Sequence, residues 1–381
     1  TKDGNTQKFS GEGAIGPVTG NLTLEIPVVK DKSSLLVGGR ATYSDWILKQ
    51  LDDEQLQNSQ ASFYDVIAKY HHNFDDKNSL AISGYYSDDV FSVSSDSTFN
   101  YTNALFSLRY SHKFNDRNRG SILVSNSNYG YNIEFDSNSA RDFDLDYGVQ
   151  ETEVKFLMNH MLTETHNFTY GLSGKLYNNA PPNIAPKGTE SLVDPTNIQD
   201  EQAFESGIFF EDNYNVNKNL SFNLGLRYSF YAFLGPTEQS VYIDGLPKND
   251  ATRTETISYG DNEVVENYGG PEIRVSGRYS FSEDFSIKAS YNNNYQFIHT
   301  LTTNTTATPQ DTWKLSDLNI EPQRANQFSL GLFKNLDGNT YELSLEGYYK
   351  LSDNILDYKV GADLLLNENI ETEVLQGEGK A

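Results

Sequence analysis

The chain has no cysteine, so a disulfide framework, a thiol nucleophile and a cysteine-based metal site are all excluded. It lacks any run of about 18 apolar residues, which excludes a membrane-crossing helix. Basic residues are scarce: 29 Lys and Arg stand against 53 Asp and Glu, for a net charge of −24. Such a surface repels phosphates, and nucleic acid is excluded as a partner. No apolar leader is present either, because Thr1–Ser10 is polar, so the chain reads as mature or excised. Tryptophan is rare at 2 residues, yet Tyr (25) and Phe (22) bring the aromatic share to 13%.

What is present is a beat of short polar turns and longer polar connections. The short turns are Lys30–Ser33, Asp75–Asn78, Asn115–Asn118, Leu162–His166, Asn217–Asn219, Ser282–Asp284 and Asp337–Asn339. The largest connection between them runs from Gly235 to Gly270. Tight turns at one end and long loops at the other are the plan of an outer-membrane β-barrel, with the short turns periplasmic.

The segments between alternate in polarity. From Leu220 the even positions are Leu220, Phe222, Leu224, Leu226, Tyr228, Phe230, Ala232 and Leu234, while the odd ones are mostly polar. The split recurs at Leu22, Leu24, Ile26 and Val28, at Ala104, Phe106, Leu108 and Tyr110, at Phe285 to Tyr291, and at Tyr341 to Tyr349. Successive strand side chains point to opposite faces, so each strand has one apolar and one polar face. Each apolar face runs for about ten residues, enough for a tilted strand to cross the hydrocarbon layer. The polar face then lines a lumen, into which Arg40, Arg109, Arg227, Lys288 and Glu346 project. Strands that are only half apolar explain why the mean hydropathy is negative in a membrane protein.

This pattern predicts 15 strands: Gly4–Ile15, Val18–Val29, Ser33–Trp46, Ala61–Phe74, Ser79–Phe91, Asn100–Phe114, Gly120–Phe135, Phe143–Met161, His166–Tyr177, Ala203–Val216, Asn219–Leu234, Pro271–Phe281, Phe285–Ile298, Arg324–Leu336 and Thr340–Leu351. Ile370–Lys380 reads as the start of a sixteenth. The fold class is all-β, a transmembrane antiparallel up-and-down barrel. No linker-like stretch divides the 381 residues, so residues 1–381 form one domain. A barrel must pair its last strand with its first, and no closing aromatic strand follows Gly377, so the chain is expected to be part of a larger barrel.

Several stretches together resemble a known family: Ser286–Asn292, Gln296–His299, Thr308–Trp313, Ile320–Gln323, Gly347–Lys350, Asp357–Lys359, Asn369–Glu373 and Gly377–Lys380, with Leu24–Pro27, Asp31–Ser34 and Arg40–Trp46 near the start. The chain resembles the barrel of TonB-dependent outer-membrane receptors of the Bacteroidetes type, the class with an amino-terminal carboxypeptidase-regulatory-like domain. The resemblance implies a barrel of about 22 strands, of which 15–16 are here and roughly the last six and the plug are not. It implies energised uptake of a nutrient, with TonB as a partner through that absent plug, at the Gram-negative cell outer membrane. A passive porin or channel, and a barrel scaffolding a surface lipoprotein complex, are the alternatives. The partners expected are outer-membrane lipid, TonB and a small-molecule, peptide or glycan ligand, with a surface lipoprotein under the scaffolding alternative.

No catalytic residue, cofactor or metal ligand is assigned. His71, His72, His112, His160 and His166 fall beside the short turns; His299 alone is near an outer loop, close to Asp311. All six are read as interfacial or lumenal polar residues rather than catalytic bases. Acidic connections such as Asp52–Glu54, Asp142–Asp146 and Asp261–Glu266 form a solvated rim, and none has the spacing of a dedicated calcium loop. Ala180–Pro186 reads as a stiffened outer loop. The candidate substrate contacts are Asn292, Asn294 and Gln296 on a polar strand face, with Asn304 and an exposed Trp313 at the mouth.

Overall fold

The computed structural model describes residues 2–94, 96–137, 139–301, 312–364 and 366–381. Its strands are β1 (Ser10–Ile15), β2 (Thr19–Val29), β3 (Ser33–Thr42), β4 (Gln60–Asn73), β5 (Asn78–Ser94), β6 (Ser97–Asn115), β7 (Asn118–Phe135), β8 (Phe143–Met161), β9 (His166–Pro186), β10 (Glu201–Asn215), β11 (Leu220–Leu234), β12 (Thr237–Tyr242), β13 (Arg253–Tyr259), β14 (Val264–Ser282), β15 (Phe285–Gln296), β16 (Ile298–Leu301), β17 (Thr312–Leu315), β18 (Gln323–Leu336), β19 (Tyr341–Tyr358) and β20 (Val374–Lys380). Sixteen of them form one antiparallel meander, β1 through β11, then β14, β15, β18, β19 and β20. The pairs β12–β13 and β16–β17 are separate hairpins inside outer connections. In the sheet β1 and β20 are the two edges, and the described residues do not pair them with each other.

Each short turn lies at the same end of the sheet, and none exceeds four residues. Polar side chains close them locally: Asp75 Oδ1 accepts the amides of Lys77 and Asn78, Asn115 Oδ1 that of Arg117, and Asn217 Oδ1 those of Asn219 and Leu220. At the other end the connections are long, with two exceptions. Residues 16–18 and 95–96 are as short as the inner turns, so the beat read from sequence is incomplete at β1–β2 and β5–β6.

Register assigns the two faces. Arg40, Arg109, Arg227, Lys288 and Glu346 fall on one face, linked strand to strand by pairs such as Arg40↔Asp65, Arg227↔Glu272 and Gly331↔Glu346. The opposite face carries large apolar side chains that no described residue covers: Ile208 is 66% exposed, Leu226 55% and Leu345 71%. A continuous apolar surface of this extent needs lipid against it. Strands β6 to β9, of 18 to 21 residues, exceed the roughly 9–11 a membrane requires. Their outer halves turn polar on the lipid-side face as well, where Asn126 donates to Thr152 and Asn132 to Asp146, both at 2.8 Å. Those halves stand above the hydrocarbon.

Boundaries differ from the expectation where local sequence misleads. Ala180–Pro186 continues β9 rather than forming a loop, because Pro181 and Pro182 sit at the register shift between Asp146 and Gly148 of β8, where no ladder donor is required. β14 begins at Val264, seven residues before Pro271, through Gly269 and Gly270 at φ 147° and 154°. β1 begins at Ser10 rather than Gly4, and β3 ends at Thr42 before a helical turn, α1 (Asp45–Leu48). The last strand begins at Val374, after a 3₁₀ turn at Ile370–Thr372.

Candidate functional site: the outer mouth and the lumenal wall

A buried cluster lies at the outer end, where residues 297–301 and 312–320 fold back over the lumenal face. Tyr177 of β9, Ala203 of β10 and Tyr231 and Phe233 of β11 occupy outer lumenal positions, and Phe297 and Leu315 bury against them. Tyr231 and Phe297 stack with centroids 4.7 Å apart at 6°. Burying these rings stabilises the folded-back connection by about 1.5–3 kcal/mol for each large side chain removed from water.

Polar contacts set the register of the β16–β17 hairpin. The Trp313 amide donates to the Tyr147 hydroxyl (3.1 Å), which donates to Asn179 Oδ1 (2.9 Å). The Asn179 amide donates to Glu201 Oε2 (2.9 Å) and to the Trp313 carbonyl (2.8 Å). The Leu315 amide donates to Glu201 Oε2 at 3.0 Å, and the Tyr231 hydroxyl to the Ser316 carbonyl at 2.7 Å.

At the centre lies a buried ion cluster. The Lys314 ammonium meets Asp317 Oδ2 at 2.5 Å and Glu201 Oε1 more closely, with only 5–11% of the three side chains exposed. Asp317 Oδ1 also accepts the amides of Asn319 (2.8 Å) and Ile320 (2.9 Å). Burial by itself disfavours the ammonium, but the charges of Asp317 and Glu201 outweigh it and hold Lys314 protonated well above the usual lysine range. His299 of β16 is fully buried, with Nε2 2.8 Å from Ser316 Oγ and, among the described residues, no partner for Nδ1. Burial, reinforced by the Lys314 charge, lowers its pKa to about 4, so the ring is neutral. His299 is therefore a loop-core residue, not the interfacial or lumenal one expected from sequence; apolar neighbours on both sides, Ile298 and Leu301, draw it in with the hairpin.

Two cavities flank this assembly. The outer one, about 390 Å³, is lined by Asn179, Gln239, Lys314, Asp317, Asn367 and Glu371 among others. The second, about 490 Å³, lies on the lumenal wall beside Lys175, Glu205, Arg227, Glu272, Arg274 and Asn294. Arg227 is its hub: Nε donates to Ser229 Oγ (2.8 Å), while Glu205 Oε1 and Glu272 Oε1 lie 3.4 and 3.6 Å from the guanidinium. Gly207 makes room for it, since a Cβ there would lie 2.4 Å from the guanidinium carbon. Among the described residues no group of three or more His, Asp or Glu side chains is arranged to hold a metal ion.

Of the five candidate contacts, Asn292, Asn294 and Gln296 share the lumenal face of β15 with Lys288. Asn294 lines the wall cavity, whereas the Gln296 side chain is engaged with the Ile298 carbonyl at 2.9 Å. Trp313 is not the freely exposed indole expected: it stacks on Tyr147 (5.9 Å, 25°) and meets Tyr129 edge-on (5.1 Å, 80°), because a large ring beside two others gains more from burial than from water. It still borders the outer cavity. Asn304 lies outside the described residues. Sequence reasoning missed Glu201, Lys314 and Asp317; the one local signal was a lysine between apolar Trp313 and Leu315 with an aspartate three residues on.

Comparison with known proteins supplies the family. Residues 19–377 match the TonB dependent receptor-like, beta-barrel family. No curated protein sequence matches the chain. Among solved structures, a double mutant of the Serratia marcescens hemophore receptor HasR, in complex with its hemophore HasA and heme, is 12% identical with a TM-score of 0.62, over 92% of this chain and 55% of that one. The copper transporter OprC is 9% identical (TM-score 0.68, 100% and 58%). The ferripyoverdine receptor of the Pseudomonas aeruginosa outer membrane, bound to ferripyoverdine, is 12% identical (TM-score 0.64, 100% and 53%). The chain thus spans a little over half the length of these receptors. With a uniformly antiparallel meander, one lipid-exposed apolar face and a family match over nearly its whole length, this chain belongs to the TonB-dependent receptor-like β-barrel family of the Gram-negative outer membrane.

Proposed function

We propose that the chain is the transport wall of an outer-membrane receptor that takes up a nutrient energised through TonB, non-enzymatically, and that the receptor is of the Bacteroidetes type. The observation that carries the reading is the folded-back pair of segments 297–301 and 312–320: they pack on the lumenal wall at the outer end, with a polar cavity on either side. The buried ion cluster holds those segments in place and so gives a ligand fixed walls. Residues 1–381 are read as one part of a larger barrel whose plug, the element through which TonB acts, lies elsewhere in the protein. The matched share of the solved receptors and the unpaired edges β1 and β20 support that reading.

Asn294 of the wall cavity and Trp313 of the outer cavity are the candidate contacts best placed for a ligand, with Asn292 and Gln296 on the wall between them. The outer cavity mixes carboxamides with carboxylates, and its Lys314 is already neutralised by Glu201 and Asp317. That lining suits a polar small molecule, peptide or glycan better than a strongly anionic one. The test is growth of a strain deleted for the whole receptor gene on a panel of scarce nutrients. Loss of growth on one nutrient, restored by the full gene but not by a copy with Asn294→Trp, supports the reading; growth on every nutrient without the gene sinks it.

A further inference from the structure

We propose that the lipid-facing wall of β8 to β11 carries a built site for one phospholipid of the periplasmic leaflet, with a primary-ammonium headgroup. Four of the six histidines stand on the outward face at the inner strand ends: His72 on β4, His112 on β6, His160 on β8 and His166 on β9. Each lies beside an aromatic ring, as expected of side chains at headgroup depth. At His166 this belt is elaborated. Its ring stacks on Tyr214 with centroids 4.1 Å apart at 7°, and Nδ1 donates to Asp212 Oδ2 at 2.8 Å. Asp212 is 9% exposed, and its Oδ1 is shielded from water without a hydrogen-bond partner.

A buried carboxylate oxygen on the lipid side of a membrane strand is costly unless something polar meets it. Among the described residues nothing does: in its own row Asp212 is flanked by Phe168 and Leu224. The two rows above, towards the membrane centre, form an apolar groove of about 570 Å³ lined by Phe156, Tyr170, Leu172, Ile208, Phe210 and Leu226. Its polar lining is almost nil, and its Tyr170–Phe210 row is next to the Phe168–Asp212 row. An acyl chain fits the groove and a headgroup meets the polar pair at its inner end. An ammonium reaches Asp212 Oδ1 as the flanking Phe168 or Leu224 side chain turns aside, and the phosphate then lies beside the row of His166 and Tyr214. A lone phosphate does not suit the site, because the Asp212 carboxylate repels it.

The experiment is native mass spectrometry of the full receptor extracted in mild detergent and offered phosphatidylethanolamine or phosphatidylglycerol. Wild type is expected to retain one phosphatidylethanolamine about tenfold better than phosphatidylglycerol, the scale of one charge-assisted hydrogen bond. Asp212→Asn should abolish that preference, and Ile208→Trp, which fills the groove, should release the lipid altogether. His112→Ala, at the same depth but away from the groove, should leave retention unchanged, and heat-modifiable migration confirms that each variant is folded. Equal retention of both lipids by wild type, or retention indifferent to Asp212→Asn and Ile208→Trp, overturns the proposal. Displacement of the lipid by excess inorganic phosphate would assign the polar pair to a soluble anion and overturn it too.

Discussion

Replacing Lys314 by methionine roughly keeps the length of the side chain and deletes its charge, leaving Glu201 and Asp317 without the ammonium they share. Breaking a buried ion pair by removing one partner costs about 3–5 kcal/mol. No discount for solvent applies, because the three side chains are at most 11% exposed. The cost falls on the closed hairpin rather than on the sheet, since opening β16–β17 returns the carboxylates to water without breaking a ladder hydrogen bond. At 1.4 kcal/mol per tenfold, the hairpin opens about two to three and a half powers of ten more often. The reporter is amide hydrogen exchange of the full receptor, read at Leu315, whose amide donates to Glu201, and at Trp313, whose amide donates to Tyr147. Exchange there should rise by that factor while the β10–β11 ladder is unchanged, and the Glu201→Gln/Lys314→Met double variant should be milder than Lys314→Met alone. Unchanged protection in the hairpin, or equal loss across β10 and β11, would refute the idea that the ion cluster is what holds the hairpin down.

Three further outcomes follow from the geometry. The closed hairpin keeps His299 neutral down to about pH 4 while an opened one binds a proton below about 6.5, so closure should weaken as pH falls through that window, by up to about 3 kcal/mol, and hydrogen exchange of His299→Phe should lose that pH dependence. In Gly171→Ala the new Cβ would lie 2.0 Å from the Phe156 carbonyl oxygen, so β8 and β9 must separate; overpacking costs about 1–3 kcal/mol, read as a lower unfolding temperature of the heat-modifiable band. Leu330→Arg, on the lipid face, should lose about 2–4 kcal/mol of barrel stability in denaturant titration, whereas Ser329→Arg one residue away, on the lumenal face, should be near neutral; equal effects would mean the faces are assigned the wrong way round.

Much of the sheet was legible because membrane strands obey a two-residue period under a strong constraint. Leu220–Leu234 reads as one apolar and one polar face whatever its neighbours do, and β8 runs from Phe143 to Met161 as the alternation predicts. The outer connections carry no such constraint. Thr237–Tyr242 and Arg253–Tyr259 pair as a hairpin too short and too polar to announce itself, and the start of β14 is masked by Gly269 and Gly270, which read as loop. Tyr231 and Phe233 stand at odd positions of that strand, on its mostly polar face, and are the floor on which Phe297 and Leu315 pack. Least legible was the ion cluster, for Glu201 and Lys314 are 113 residues apart and meet only because register brings the outer end of β10 beneath β17.

The most direct test of the account is uptake of the nutrient identified by growth, in cells carrying the full receptor with and without a functional TonB. The account predicts accumulation that requires both the receptor and TonB and that stops when the inner-membrane proton gradient is collapsed. Accumulation that continues at the same rate without TonB would contradict it, and would make the barrel a passive channel.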